Sequence, residues 1–119
     1  MRDLAPDILR QRLIIEGFFS VDVDEAVIRD YFGRLTESLE LRTYGEPTIF
    51  SPAGGEGREE NAGYDAFVPL IDSGISLYVW TGPRFLSVVL FTCKSFDADR
   101  AVQVTREFFG IVELEHSAF

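Results

Sequence analysis

The chain has 119 residues, of which 46% are hydrophobic and 13% aromatic, so it can form one domain with a packed core. Its 20 acidic residues outnumber the 11 lysines and arginines, and this balance disfavours nucleic acid and anionic membranes as partners. A charged ligand is therefore expected to be a cation. One cysteine and one histidine exclude an internal disulfide and a metal site built from several such residues. We expect a single domain over residues 1–119, without a membrane span or a leader peptide, in the cytoplasm.

The first third of the chain predicts a strand followed by an amphipathic helix. Residues 12–19 are rich in β-branched and aromatic side chains, which favours a strand. Asp24 is a typical N-cap, and apolar residues then recur in steps of three and four until Leu39. This spacing places one apolar face on a helix that runs from Asp24 to Leu39.

The next segment predicts a poor strand and a polar loop. Residues 41–50 resemble a strand that Gly45 and Pro47 interrupt, so we expect it at a sheet edge or with a bulge. Residues 51–63 contain no core residue and are expected to form a loop. Its glycines match no phosphate-binding spacing, and its three glutamates would repel phosphate.

The second half of the chain predicts three strands, a helix and a last strand. Residues 64–71 and 75–81 are strands around a turn at residues 72–74, and the apolar run 85–93 is a central strand. A helix begins at Asp97 and ends before Gly110, with Ala101, Val104, Thr105 and Phe108 on its apolar face, and a strand follows at 111–115. The predicted fold class is therefore α+β, a two-layer sandwich with two helices on one face of a mainly antiparallel sheet.

The sequence contains few candidates for catalytic residues. Asp72, Ser73 and Gly74 form a predicted turn, and the only cysteine, Cys93, follows twenty residues later at the end of a strand. Taken alone, these residues are also what an ordinary hairpin turn and a small buried thiol would require.

The segment from residue 63 to residue 93 resembles the pyruvoyl-dependent S-adenosylmethionine decarboxylases. That family has Glu-Ser-His, an alternating strand that ends in Trp-Pro-Glu, and a strand that ends in Phe-Thr-Cys. Here the corresponding residues read Asp72-Ser73-Gly74, Trp80-Thr81-Gly82 and Phe91-Thr92-Cys93, at the same separation. The resemblance in the order of elements extends over about residues 12–110.

The resemblance implies a cofactor made from the chain itself. Ser73 would attack the carbonyl of Asp72, cut the chain and become a pyruvoyl group, whose ketone is the electron sink for decarboxylation. Cys93 would be the proton donor. The resemblance further implies an amino-acid or nucleoside ligand, a role in polyamine biosynthesis, and a homodimer with sites between protomers.

Among the positions that differ from the family, four have a different residue where the family has a processing or binding side chain, and Asp72 stands in place of Glu. The processing histidine corresponds to Tyr78, the processing serine to Asp65, the histidine after the cleavage serine to Gly74, and the ribose-binding glutamate to Gly82. Tyrosine has a pKa of about 10, which makes it a poor base near neutral pH. Two hypotheses therefore stay open: a decarboxylase of S-adenosylmethionine or another amino acid, and an unprocessed paralogue that binds a small molecule or regulates an active homologue.

Three further residues are candidates for substrate binding. Phe50 and Trp80 can stack on a planar ligand, although an aromatic residue in a two-layer sandwich is more often part of the core. Glu16 lies in the first strand, where family members often carry an acid near the site. An outward-facing charge on a half-exposed strand explains Glu16 equally well.

Overall fold

The computed structural model describes residues 1–51 and 62–119. Within them the elements follow the predicted order, β-α-β-β-β-β-α-β. Their bounds are β1 Gln11–Phe18, α1 Glu25–Ser38, β2 Thr48–Phe50, β3 Gly63–Leu70, β4 Ser73–Trp80, β5 Phe85–Thr92, α2 Ala98–Phe109 and β6 Leu114–Ala118. The predicted loop at 51–63 falls largely on residues 52–61, which lie outside the described residues.

The described strands form one six-stranded sheet in the order β2-β3-β4-β5-β1-β6, with every neighbouring pair antiparallel. Both helices pack on one face of this sheet, which confirms the predicted α+β sandwich. Alternation along each strand sends one set of side chains towards the helices. On β4 these are Ile75, Leu77 and Val79, and each is buried in the core.

The two helices begin and end close to the residues that the sequence predicts. The Asp24 carboxylate accepts a hydrogen bond from the N–H of Val27 at 2.9 Å, and Asp97 caps α2 in the same way. Such caps satisfy N–H groups that the first turn of a helix leaves without partners. Gly110 ends α2 with a φ of 61°, a conformation that glycine adopts without a steric penalty.

A buried hydrogen bond joins the two helices. The Thr105 hydroxyl donates to the carbonyl of Ala101 at 2.8 Å, so the Tyr31 hydroxyl, 2.7 Å from Thr105 Oγ1, is the donor of the second bond. Tyr31 is fully buried, and this burial raises the pKa of its phenol. Burial in the helix layer therefore disfavours ionisation of this tyrosine.

The opposite face of the sheet carries no helix, and we call it the open face. On β4 it presents Gly74, Ser76, Tyr78 and Trp80, as the alternation predicts. Six aromatic side chains on or beside it are between 38% and 65% exposed: Phe18, Phe50, Phe67, Tyr78, Phe91 and Phe119. Central strand β5 is therefore covered completely on its helix side and only partly on its open side.

Several predicted bounds were wrong. The strand predicted at 41–50 is reduced to β2 and an isolated bridge between Thr43 and Leu70, at the sheet edge. The strand predicted at 111–115 starts at Leu114, because the N–H of Ile111 still bonds to the carbonyl of Arg106 and its side chain is buried. On α2 the predicted apolar face is confirmed at Ala101, Val104 and Thr105, and it also includes Val102 and Phe109, whereas the predicted Phe108 is only partly buried.

No helix among the described residues combines the length and the apolar character needed to cross a membrane.

Candidate functional site

The turn between β3 and β4 is tighter than the sequence suggests. Leu70 pairs with Ser73, so the connection consists of Ile71 and Asp72, and Ser73 is the first residue of β4. The φ of Ser73 is 129°. The left-handed well that non-glycine residues tolerate lies at about 50–70°, where Glu40 and Arg84 are found, so Ser73 adopts a conformation that favours glycine. The candidate cleavage serine is thus held under backbone strain.

Cys93 lies directly beside this turn. Its backbone N–H donates to the carbonyl oxygen of Asp72 at 2.8 Å, and the preceding residue, Thr92, pairs with Ser73. The Cys93 side chain is exposed. The Oδ2 atom of Asp72 is buried, with no hydrogen-bond partner among the described residues. The structure therefore brings Asp72, Ser73 and Cys93 together at one end of the sheet.

The side chains of Ser73 and Cys93 belong to opposite faces of the sheet. Ser73 is flanked across the sheet by Leu70 and Thr92, whose side chains are buried on the helix side. Cys93 follows Thr92, so alternation assigns it to the open face. The backbones of residues 72, 73 and 93 therefore lie side by side at this turn. The Ser73 hydroxyl and the Cys93 thiol do not line a common cleft.

Tyr78 lies far from Ser73 within the same chain. The two positions are five steps apart along β4, which is about 16 Å. Tyr78 pairs directly with Asp65 on β3, and Asp65 pairs with Phe50 on β2. The positions that the resemblance gives to processing and to ring stacking are therefore neighbours of one another, on the open face.

A shallow cavity of about 370 Å³ lies over these residues. In register terms it is a grid of two rows across three strands. One row is Phe50, Asp65 and Tyr78, and the other is Thr48, Phe67 and Ser76. Sequence reasoning missed Phe67 and Ser76, although the alternation of residues 64–71 and 75–81 places both on this face.

Trp80 and Glu16 belong to a neighbouring part of the open face. The Trp80 and Phe85 ring centroids are 5.6 Å apart, and those of Phe18 and Phe85 are 5.3 Å apart. Glu16 pairs directly with Glu115 across β1 and β6, and both line a small cavity beside Phe18. Trp80 is thus in an aromatic cluster, and Glu16 faces another acid.

The positions of Gly74 and Gly82 have opposite surroundings. A Cβ atom on Gly74 would lie 2.5 Å from the ring of Phe67, so Phe67 fills the space that a side chain at 74 would take. A Cβ atom on Gly82 would meet no atom within 4 Å. A histidine at 74 would have to displace Phe67, whereas a glutamate at 82 has room.

No group of three histidine, cysteine or carboxylate side chains in residues 1–51 and 62–119 is arranged to hold a metal ion.

The fold is similar to that of a solved structure described as the adenosylmethionine decarboxylase from Aquifex aeolicus VF5. The TM-score is 0.71 and the identity 17%, over 94% of this chain and 89% of that one. No protein-family model matches the sequence, and no curated protein matches it significantly. The architecture is thus shared with an adenosylmethionine decarboxylase.

Proposed function

We propose that the chain is a pyruvoyl-type amino-acid decarboxylase related to the S-adenosylmethionine decarboxylases, with Ser73 as the source of its prosthetic group. One observation carries this proposal. The carbonyl that Ser73 would attack, that of Asp72, accepts a hydrogen bond from the N–H of Cys93 at 2.8 Å. A donor at this distance stabilises the negative charge that develops on a carbonyl oxygen under nucleophilic attack.

All bonds that change during processing lie within the turn. The Ser73 hydroxyl adds to the Asp72 carbonyl carbon, the peptide C–N bond breaks, and an ester forms while the amine of residue 73 is released. In the elimination a base removes the Cα proton of residue 73, the ester Cβ–O bond breaks, and a dehydroalanine is left at 73 and a carboxylate on Asp72. Water then replaces the nitrogen of residue 73, which leaves as ammonia, and a ketone remains.

The residues present fit such a group. The strain at Ser73 is relieved when the Asp72–Ser73 bond is cut, and residue 73 is only partly buried, which leaves access for a substrate amine. A pyruvoyl group there supplies the electron sink for loss of carbon dioxide. The resemblance gives Cys93 the role of proton donor: its backbone adjoins this turn and its exposed thiol lies on the open face, so it would return a proton to the substrate carbon from that face.

An intact mass spectrum tests the proposal. A processed chain gives two fragments of 72 and 47 residues, and the second begins with a ketone in place of serine. Ser73→Ala is the control and stays one chain. If freshly made wild-type protein also stays at full length, the decarboxylase proposal is wrong.

A homodimer belongs to the same proposal. In one chain, Tyr78 and Asp65 lie about 16 Å along the strands from Ser73, too far to serve its chemistry. A second copy on the open face would bring its own Tyr78 towards this turn. The described strands contain 40 residues, which cover about 630 Å² per copy, so a pair would bury about 1,300 Å², within the usual range for a specific interface.

Sedimentation equilibrium at micromolar concentration tests the dimer. Phe91, on the open face and 42% exposed, is replaced in Phe91→Arg, which should yield monomers. Val112→Arg is the matched control, since Val112 is 88% exposed and lies outside the strands. A wild-type monomer would contradict this assembly.

The second candidate function is an unprocessed subunit that binds a small molecule or a homologous enzyme. It is favoured by Phe67, whose ring covers Gly74 where the resemblance expects a histidine, and by the acid at position 65. The double variant Tyr78→His with Asp65→Ser distinguishes the candidates. Cleavage by the variant and not by the wild type supports a decayed site, and cleavage by the wild type excludes it.

A further inference from the structure

The cavity on the open face surrounds one carboxylate with three aromatic rings. Asp65 has Phe50 and Tyr78 as its direct cross-strand neighbours, and Phe67 follows on the same face of β3. Direct cross-strand neighbours have Cβ atoms about 5 Å apart, and residues two apart on a strand about 7 Å. A group placed above Asp65 is therefore within reach of all three rings.

In a single chain this surface is accessible from solvent. Phe50 is 65% exposed, Phe67 44% and Tyr78 38%, and Asp65 is exposed as well. The hydroxyl groups of Thr48 and Ser76 complete the lining. The cavity thus offers one negative charge, polarisable ring faces and neutral hydroxyls.

These components fit an organic cation. Ring faces attract cations through their quadrupole, and a carboxylate accepts charge-assisted hydrogen bonds from N–H donors. A sulfonium ion has no N–H to donate, so Asp65 favours ammonium and guanidinium groups over it. An anionic ligand is disfavoured by Asp65 and by the net charge of −9.

We propose that the cavity formed by Phe50, Asp65, Phe67 and Tyr78 binds the ammonium or guanidinium group of a basic amino acid. Its assignment as the substrate side-chain site rests on the proposed decarboxylase and on its homodimer, because within one chain the cavity lies about 16 Å along the strands from Ser73. Binding itself rests on neither. Gly82 agrees with this ligand, because the resemblance places an acceptor for ribose hydroxyls there and glycine has no side chain to accept them.

Calorimetric titration of the Ser73→Ala protein tests the site without any processing. L-Arginine and agmatine, its decarboxylated amine, should both bind, and Asp65→Asn should weaken both by about tenfold. Phe67→Leu should weaken them about two- to fivefold. Tetramethylammonium, a cation without N–H donors, should bind more weakly and lose less on Asp65→Asn.

The matched control is Asp30→Asn, which removes an exposed carboxylate from α1 in the other layer. Equal losses for Asp30→Asn and Asp65→Asn, or no binding of either probe, would overturn the cation site. Binding of agmatine without L-arginine would overturn the amino-acid assignment. Because all titrations use Ser73→Ala, they do not depend on whether the wild type is cleaved, which the mass spectrum decides separately.

Discussion

Replacing Ser73 by glycine should stabilise the uncleaved chain, because φ at this residue is 129°. A residue with a Cβ atom in such a sparsely populated region costs about 1–3 kcal/mol, which glycine avoids. Glycine also gives the unfolded chain more entropy, which offsets about 0.5–1 kcal/mol. The Ser73→Gly variant should therefore exceed Ser73→Ala by about 1 kcal/mol in free energy of unfolding.

Urea unfolding of the two variants measures this difference, with the fluorescence of Trp80, the single tryptophan, as the signal. Neither variant can form a pyruvoyl group, so processing does not disturb the comparison. In thermal melts the same difference corresponds to about 4 °C.

The matched control uses Ser95, an exposed serine that is not among the residues with positive φ. There glycine should be equal to or less stable than alanine, because only the entropy term remains. If Ser73→Ala proves as stable as Ser73→Gly, the inference that this turn stores strain is wrong.

Three further outcomes follow from the packing. Burial raises the pKa of Tyr31, so the unfolded chain loses its phenol proton at a lower pH than the folded chain does, and the free energy of unfolding should fall as pH rises above about 10. In urea unfolding at several pH values, the free energy of unfolding of Tyr31→Phe should fall less steeply with pH, and equal slopes would refute this. A Cβ atom on Gly17 would lie 2.8 Å from a backbone carbonyl, so Gly17→Ala should cost about 1–3 kcal/mol, while Gly45→Ala, with open space around it, should not destabilise. Glu115→Gln removes a like charge opposite Glu16 and should add about 0.2–1 kcal/mol at low salt and less at high salt; a gain independent of salt would contradict the electrostatic cause.

Local signals in the sequence were sufficient for the helices and for the faces of the strands. Asp24 and Gly110 mark helix ends because a capping carboxylate and a left-handed residue act within one turn of the chain. The start of β6 was misplaced because Ile111 is apolar for a tertiary reason: it packs under the end of α2. Such a residue has the same local signature as a strand residue.

The candidate site was predictable only in part. The resemblance paired Ser73 with Cys93, and the Asp72–Cys93 hydrogen bond brings their backbones together, whereas their side chains belong to opposite faces of the sheet. The backbone strain at Ser73 had no signal, because serine is common in turns and its φ depends on a connection of two residues. The packing of the Phe67 ring over Gly74 had no signal in the sequence either, because the contact joins residues of two different strands.

By itself the sequence determined that two helices and a set of alternating strands form two layers, because apolar periodicity decides which side of each element leaves water. Only the tertiary structure decided the strand order and register that set Phe50, Asp65 and Tyr78 in one row. The reason is physical: hydrogen bonds between strands join residues distant along the chain, and shifting one strand by a single residue turns every side chain to the other face.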